Sequence, residues 1–222
     1  MDDDSPAGYA SPPCLMHEID PAYAGLEVDA RTWLDVNRWR KATRADLVEK
    51  RLALSADTRS ALGRVIMAHV RAEIGDIAGR TVSLYWPFRG EPDPRGLAQQ
   101  IVSAGGHCAL PVVVAKGQPL AFHRWTPGDA LARGVWNIPV PAVPEACRPD
   151  IVLAPVIGFD AFCFRLGYGG GYFDRTLAAM TAKPLAIGVG YELARLTSIF
   201  PQPHDIALDR IVTEAGVTSA AG

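Results

Sequence analysis

Two unbroken apolar stretches, separated by a glycine-rich segment, constrain the fold of this chain more than any other feature. They are residues 151–159 (IVLAPVIGF) and residues 184–191 (PLAIGVGY). A strand that is covered on both faces does not alternate apolar with polar residues, so such runs are typical of the buried strands of parallel sheets. The segment between them is long enough for a helix, which a parallel crossover requires. The sequence therefore predicts a unit of strand, helix and strand here.

The preceding part of the chain repeats this alternation. Residues 81–86 predict a strand, residues 95–104 a helix, and residues 109–114 and 119–125 two further strands. The proline-rich residues 126–149 predict a long ordered loop or two short strands. Together these patterns predict an α/β fold, a single three-layer domain with a mainly parallel sheet between helices. Ligands of such sheets gather beyond the carboxyl ends of the strands.

The first third of the chain predicts an arm and two helices. Residues 1–30 show no sustained apolar pattern, so we expect an irregular N-terminal arm there and the α/β domain over residues 31–222. Residues 32–54 predict a basic helix. Ser55 is a candidate N-cap for a second helix. Its apolar stripe consists of Leu62, Val65, Ile66, His69 and Val70, with His69 interpreted as a core histidine.

Composition limits the classes of partner. The chain has 222 residues, of which 49% are hydrophobic, and a formal net charge of −2. That charge gives no overall basic field for nucleic acid or an anionic membrane surface, and no apolar run approaches the roughly 20 residues that cross a bilayer. The four cysteines form no CxxC pair, as in a cytoplasmic protein with free thiols. We therefore expect a cytoplasmic protein with small-molecule ligands, and any anion binding must be local.

The glycine-rich segment, residues 165–175 (RLGYGGGYFDR), carries the strongest chemical signal. Its glycines can adopt positive φ and turn successive backbone N–H groups toward one point, which suits phosphate oxygens. A helix that begins near Tyr172 would add its positive dipole end. Arg165 could bind phosphate, and Asp174 could hold the Mg²⁺ that accompanies ATP. The alternative is a tight turn with both as surface charges, since the segment matches neither a P-loop nor a dinucleotide fingerprint.

The same segment, together with the preceding DIVLAPVIGFD and the later PHDIALDRIVTE, closely resembles the 5-formyltetrahydrofolate cyclo-ligase family. The resemblance runs from about residue 40 to residue 213. It implies a NagB/RpiA/CoA-transferase-like fold in a monomer or homodimer. It also implies ATP- and Mg²⁺-dependent closure of 5-formyltetrahydrofolate to 5,10-methenyltetrahydrofolate, with release of ADP and phosphate. The formyl oxygen is phosphorylated on the way.

Site residues carry over from the resemblance by position. Arg165 and Asp174 are expected to act in catalysis, and Asp174 and Asp205 to hold magnesium. The residues implied for ATP are Arg40, Arg44, Arg165, Gly167, Tyr168, Gly169, Gly170, Gly171, Tyr172, Phe173 and Asp174. Those implied for the folate are Phe88, Glu91, Asp93, Gly167, Tyr168, Gly169, Gly170 and Gly171.

The chemistry of these residues suits the roles, but other roles stay open. Arg40 and Arg44 are four apart and share a helix face, although a solvated face is the commoner fate of basic runs. Glu91 and Asp93 could accept the N–H groups of a pterin, or could cap the following helix.

Two positions depart from the family pattern, because Arg40 stands where lysine is usual and Val140 where glutamate is frequent. His204, beside Asp205, could be a general acid or could orient that carboxylate, and it stays unassigned. The sequence also leaves two other functions open. One is a non-catalytic module that binds a nucleotide or phosphorylated metabolite, and the other is an ATP-dependent enzyme for a different formyl or acyl substrate.

Overall fold

The protein is built from helices and strands that alternate along most of the chain. The computed structural model describes residues 30–220. The helices are α1 (Ala30–Ala53), α2 (Ala56–Ile74), α3 (Gly96–Ser103) and α4 (Tyr172–Ala179). The strands are β1 (Thr81–Ser83), β2 (His107–Val113), β3 (Leu120–Arg124), β4 (Leu131–Arg133), β5 (Pro139–Pro141), β6 (Ile151–Pro155), β7 (Gly158–Phe159), β8 (Arg165–Leu166), β9 (Leu185–Val189), β10 (Arg210–Thr213) and β11 (Gly216–Ser219).

A seven-stranded sheet in the order β11, β10, β9, β6, β1, β2, β3 forms the middle layer. The inner pairs are all parallel, while β10 with β11 and β2 with β3 are antiparallel pairs at the two edges. The two long apolar runs pair directly as β6 and β9, with Leu153 opposite Ile187 and Ala154 opposite Gly188. The predicted α/β class with a mainly parallel sheet is confirmed.

The core lies on both faces of this sheet, as the unbroken apolar strands require. On β6, Leu153 packs in a cluster with Ile66 and Ile101, which α2 and α3 contribute. The next residue, Ala154, points to the opposite face and shares a cluster with Leu177 of α4. Helices therefore cover both faces, and the predicted three layers are present.

The predicted helical start at Ser55 is confirmed, because its hydroxyl accepts a hydrogen bond of 3.0 Å from the backbone N–H of Thr58. The buried apolar stripe on α2 is narrower than the sequence predicts. Val65 is exposed, and His69 is only partly buried, with its Nδ1 2.9 Å from the carbonyl oxygen of Thr213. None of the helices within residues 30–220 has the length and hydropathy needed to cross a membrane.

Three strand predictions need correction or completion. The run 151–159 is not one strand: β6 ends at Pro155, and β7 pairs with β8 in a separate two-stranded sheet. Residues 126–149 form two short strands, β4 and β5, which pair with each other. The β10 and β11 hairpin was not predicted, because its strands are too short to show a clear period. Residues 1–29 of the predicted arm lie outside the described residues, and Ala30, the last residue of that arm, begins α1.

Candidate active site

A cavity of about 390 Å³ opens beyond the carboxyl ends of β1 and β6. One end is basic and is formed by α1, β8 and the glycine-rich loop of residues 167–171. The other end is largely apolar and includes Leu110 of β2, Leu120 of β3, and Trp136 and Val140 from the β4 and β5 excursion. Ligands of parallel sheets bind at this edge, so the fold places the cavity where a substrate is expected.

The glycine-rich loop needs glycine for two separate reasons. Gly169 and Gly171 have φ of 91° and 61°, in the left-handed region that L side chains rarely adopt. A Cβ on Gly170 would lie 2.7 Å from the ring of Tyr172, and one on Gly167 would lie 2.5 Å from Nη1 of Arg165. Since α4 begins at Tyr172, directly after this loop, its N-terminus faces the cavity as the sequence predicts.

Arg165 and Asp174 form a buried ion pair rather than two surface charges. Nη2 of Arg165 donates to Oδ2 of Asp174 at 2.8 Å, and their side chains are only 5% and 11% exposed. Burial lowers the pKa of Arg165, an effect that the nearby charges of Asp174 and Asp205 oppose. The Nε of Arg165 is buried without a hydrogen-bond partner among the described residues. The pair therefore places a positive charge with spare donor capacity beside the loop.

A second buried pair, Arg40 with Asp205, lies at the same end of the cavity. The Arg40 guanidinium donates to the Asp205 carboxylate and, through Nε, to the carbonyl oxygen of Ile199 at 3.0 Å. The backbone N–H of Ile206 lies 3.4 Å from Oδ1 of Asp174, so the segment that carries Asp205 contacts Asp174. The structure therefore brings both carboxylates to one end of the cavity, each beside an arginine.

Arg44 ties α1 to the glycine-rich loop. Its Nε donates to the carbonyl oxygen of Gly167 at 2.6 Å, and its guanidinium lies about 3.5 Å from where a Cβ on Gly169 would be. Burial, together with the charge of Arg40, lowers the pKa of Arg44. Arg40 and Arg44 thus face the cavity, and neither belongs to a solvated helix face.

Glu91 lies buried beside the loop, in the turn after β1. It is 7% exposed; Oε1 accepts a hydrogen bond of 3.0 Å from the hydroxyl of Tyr168, and Oε2 accepts one of 2.9 Å from the N–H of Phe88. Burial raises the pKa of Glu91 to about 7, although the charge of Arg51 and these hydrogen bonds act in the opposite direction. The rings of Phe88 and Tyr168 pack with centroids 5.6 Å apart. The expected residues Phe88, Glu91 and Tyr168 therefore meet in the cavity.

Asp93 is the expected site residue that the structure does not bring to this cavity. Its Oδ1 accepts hydrogen bonds from the backbone N–H of Arg95 at 3.0 Å and from Nε of the same arginine at 2.8 Å. Asp93 is thus held by Arg95, the N-cap residue of α3, which has no side-chain cap, and Glu91 is the acidic residue of this turn that lines the cavity.

The chain matches a known protein family over most of its length. The sequence pattern of the 5-formyltetrahydrofolate cyclo-ligase family matches residues 36–214, a span that includes every cavity residue described above. The chain belongs to this family. A 5-formyltetrahydrofolate cyclo-ligase of Mycolicibacterium smegmatis is 35% identical over 147 residues, which cover 62% of this chain and 75% of that relative.

Further cyclo-ligase relatives match over more of their length. The cyclo-ligase of Escherichia coli K12 is 27% identical over 177 residues, which cover 76% of this chain and 97% of the relative. The NMR structure of a 5,10-methenyltetrahydrofolate synthetase from Aquifex aeolicus aligns with a TM-score of 0.71 at 26% identity. That alignment covers 82% of this chain and 93% of the synthetase.

Sequence reasoning missed two features of this cyclo-ligase family member, one behind the cavity and one in its wall. Arg51 of α1 is 3% exposed, and its Nη2 donates to the hydroxyl of Tyr168 at 2.9 Å. Its position eleven residues after Arg40, on the same helix face, was the available signal. Trp136 is 57% exposed, has a φ of 55°, and meets the ring of Tyr172 edge-on at 6.0 Å. No local pattern identifies Trp136, because it lies in the proline-rich segment of residues 126–149.

The two remaining residues that the sequence singled out also reach the cavity. Val140, where the cyclo-ligase pattern frequently has glutamate, contributes to the apolar wall. His204 is exposed, and its Nε2 lies 4.0 Å from Oδ1 of Asp205, beyond hydrogen-bond distance. The structure therefore shows no hydrogen bond by which His204 would orient Asp205, and the general-acid role stays open.

Proposed function

We propose that the chain closes 5-formyltetrahydrofolate to 5,10-methenyltetrahydrofolate in an ATP- and Mg²⁺-dependent reaction that releases ADP and phosphate. The observation that carries this proposal is the composition of one cavity. Three arginines and the N–H groups of the glycine-rich loop line one part of it, and a buried carboxylate with two aromatic rings lies beside the same loop. Names of the family and its relatives agree with this reaction.

The basic end is suited to hold a triphosphate during phosphoryl transfer. The formyl oxygen attacks the γ-phosphorus of ATP, which releases ADP. N10 of the folate then attacks the formyl carbon and loses its proton, and phosphate leaves with the former formyl oxygen. Because the folate provides both attacking atoms, the protein needs no nucleophile of its own. Its task is to position the reactants and to neutralise charge on the phosphate oxygens. Arg40, Arg44, Arg165 and the loop N–H groups are the donors available for that task.

Asp174 and Asp205 are the candidate magnesium ligands. Within residues 30–220, no group of three or more histidine, cysteine or acidic side chains could hold a metal ion by itself. Mg²⁺ at phosphoryl-transfer sites is bound by one or two carboxylates together with phosphate oxygens and water. These two carboxylates lie at the basic end of the cavity and therefore fit a Mg²⁺ that arrives with ATP. When bound, the cation would help to neutralise the phosphate oxygens.

The surroundings of Glu91 are suited to a reduced pterin. Glu91 uses one lone pair of each oxygen within the protein, which leaves lone pairs for the N–H groups of an amino-pyrimidinone edge. Phe88 and Tyr168 provide aromatic surface beside it, and Trp136 adds a further ring to the cavity wall. The folate-binding role that the resemblance implies is therefore proposed for Phe88 and Glu91, and not for Asp93.

We expect the kcat/KM for 5-formyltetrahydrofolate to fall by about tenfold per pH unit below pH 7, because protonated Glu91 accepts fewer hydrogen bonds from the pterin. Arg51 is the cationic group that faces Glu91, through the hydroxyl of Tyr168. The neighbouring hydroxyls of Tyr168 and Tyr85 stay protonated, since burial raises the pKa of both. Initial rates between pH 5.5 and 8.5 measure the profile. The Glu91→Gln variant is the control and should lose this dependence; the same profile in both proteins would contradict the assignment.

ADP release distinguishes this function from its alternatives. Wild-type protein with Mg-ATP is assayed with 5-formyltetrahydrofolate, with 10-formyltetrahydrofolate, with unsubstituted tetrahydrofolate and with no folate. Release that depends on 5-formyltetrahydrofolate supports the proposal. Nucleotide binding without ADP release under every condition would indicate a binding module. Release with another formyl compound only would indicate a different substrate.

A further inference from the structure

A chain of partly buried hydrogen bonds connects α1 to the proposed folate turn. Nη2 of Arg51 donates to the hydroxyl of Tyr168 at 2.9 Å, and that hydroxyl donates to Oε1 of Glu91 at 3.0 Å. Nε of Arg51 donates to the carbonyl oxygen of Arg89, in the same turn, at 2.9 Å. Three segments that are far apart in sequence therefore meet behind one carboxylate.

We propose that Arg51 is a positioning residue for the folate, which acts through Tyr168 to hold the Glu91 carboxylate ionised and correctly oriented for the pterin. This inference rests on the proposed function, since it concerns the same site. Arg51 lies behind Tyr168 and Glu91 and does not line the cavity. It would therefore act without touching the substrate.

The charge balance around Arg51 favours this role over a purely structural one. Arg51 is buried, yet among the described residues it forms no salt bridge. A buried cation without a partner is costly, so a compensating charge is expected nearby. Glu91 is the carboxylate whose ionisation the charge of Arg51 favours, although the two groups are joined only through Tyr168. The cation and the buried carboxylate thus stabilise each other across one hydroxyl.

Tyr168 is suited to connect these two groups. A phenolic hydroxyl can accept one hydrogen bond while it donates another, and both bonds are present here. Tyr168 also lies in the glycine-rich loop, between Gly167 and Gly169, while its ring packs on Phe88. One side chain therefore connects the proposed phosphate loop with the proposed folate turn.

The test compares steady-state kinetics of Arg51→Met, Tyr168→Phe and Glu91→Gln with wild type. We expect Arg51→Met and Tyr168→Phe to raise the KM for 5-formyltetrahydrofolate by about tenfold, the effect of one lost hydrogen bond to a charged group. Their kcat and their KM for ATP should stay within about twofold of wild type. Lys50→Met is the matched control, because Lys50 neighbours Arg51 on α1 but is 60% exposed and pairs with Asp46. It should behave as wild type.

A double-mutant cycle separates positioning from general support of the fold. If Arg51 acts through Glu91, then adding Arg51→Met to Glu91→Gln should raise the KM for the folate little further. Fully additive effects, or an unchanged KM in active Arg51→Met and Tyr168→Phe, would overturn the inference. Tyr168→Phe keeps the test decisive if Arg51→Met does not fold, because it removes a single oxygen atom. Wild type that is inactive on 5-formyltetrahydrofolate would instead refute the proposed function.

Discussion

Replacement of Asp174 by asparagine should lower Mg²⁺-dependent kcat by about a hundredfold to a thousandfold, a loss typical of a removed charge-stabilising group. The affinity for 5-formyltetrahydrofolate should change little, because Asp174 lies at the basic end of the cavity, where the phosphates of ATP are proposed to bind. Two effects combine in this loss. Asp174 is a proposed magnesium ligand, and its carboxylate is also the partner of buried Arg165. Without that charge, the arginine is held less firmly beside the loop.

The choice of substitution decides how clearly this result can be interpreted. Asp174→Ala would leave the buried Arg165 without an acceptor, at a cost of about 3–5 kcal/mol in the free energy of unfolding. Asparagine retains an acceptor oxygen of similar shape, so more of the protein should stay folded. Turnover at saturating Mg-ATP, folate binding and thermal unfolding should be measured together. Asp46→Asn, on the exposed side of α1, is the matched control. Equal turnover by Asp174→Asn and wild type would remove Asp174 from the mechanism.

The Arg44→Met variant should reduce kcat/KM for ATP by about a hundredfold, which corresponds to the loss of one charge-assisted contact with phosphate. Arg44 is the arginine of the basic end that forms no ion pair among the described residues, whereas Arg40 and Arg165 each pair with an aspartate. Its donors are therefore the freest for a phosphate group. It also anchors the loop through the carbonyl oxygen of Gly167.

The control for Arg44 is Lys41→Met, which removes an exposed charge from the same basic helix. Lys41→Met should retain the wild-type KM for ATP at physiological ionic strength, since exposed charges at a distance are largely screened. Initial rates at varied ATP and fixed, saturating folate measure both variants. An unchanged kcat/KM for ATP in Arg44→Met, or an equal fall in both variants, would show that the basic end does not bind the triphosphate as proposed.

Much of the fold could be predicted because the signals are local. The unbroken apolar runs that became β6 and β9 indicated strands covered on both faces, and helices do cover both faces. The break after Pro155 was missed, since periodicity gives no indication that an apolar run leaves one sheet and pairs with Arg165 and Leu166 in another. That break positions Arg165 at the cavity, so the error concerned the part of the fold that builds the site.

The site was predictable where spacing along one element determines it. Arg40 and Arg44 share a helix face, and the glycine-rich loop precedes a helix, as the sequence indicates. The hydrogen bonds from Arg51 to Tyr168 and from Tyr168 to Glu91 join residues 117 and 77 positions apart. Only the tertiary fold brings such residues together, and no local sequence pattern indicates these contacts. Asp93 was predicted to bind the folate from its place in the sequence, but its contact with the nearby Arg95 holds it outside the cavity.

The central claim is that one cavity holds a triphosphate beside a reduced folate and joins their chemistry. The most direct measurement is the absorbance of 5,10-methenyltetrahydrofolate formed from 5-formyltetrahydrofolate by the purified full-length protein. We expect its absorbance band to appear with Mg-ATP, and not when ATP or Mg²⁺ is omitted. A folded protein that gives no methenyltetrahydrofolate with saturating Mg-ATP, or that forms it equally well without ATP, would contradict the account.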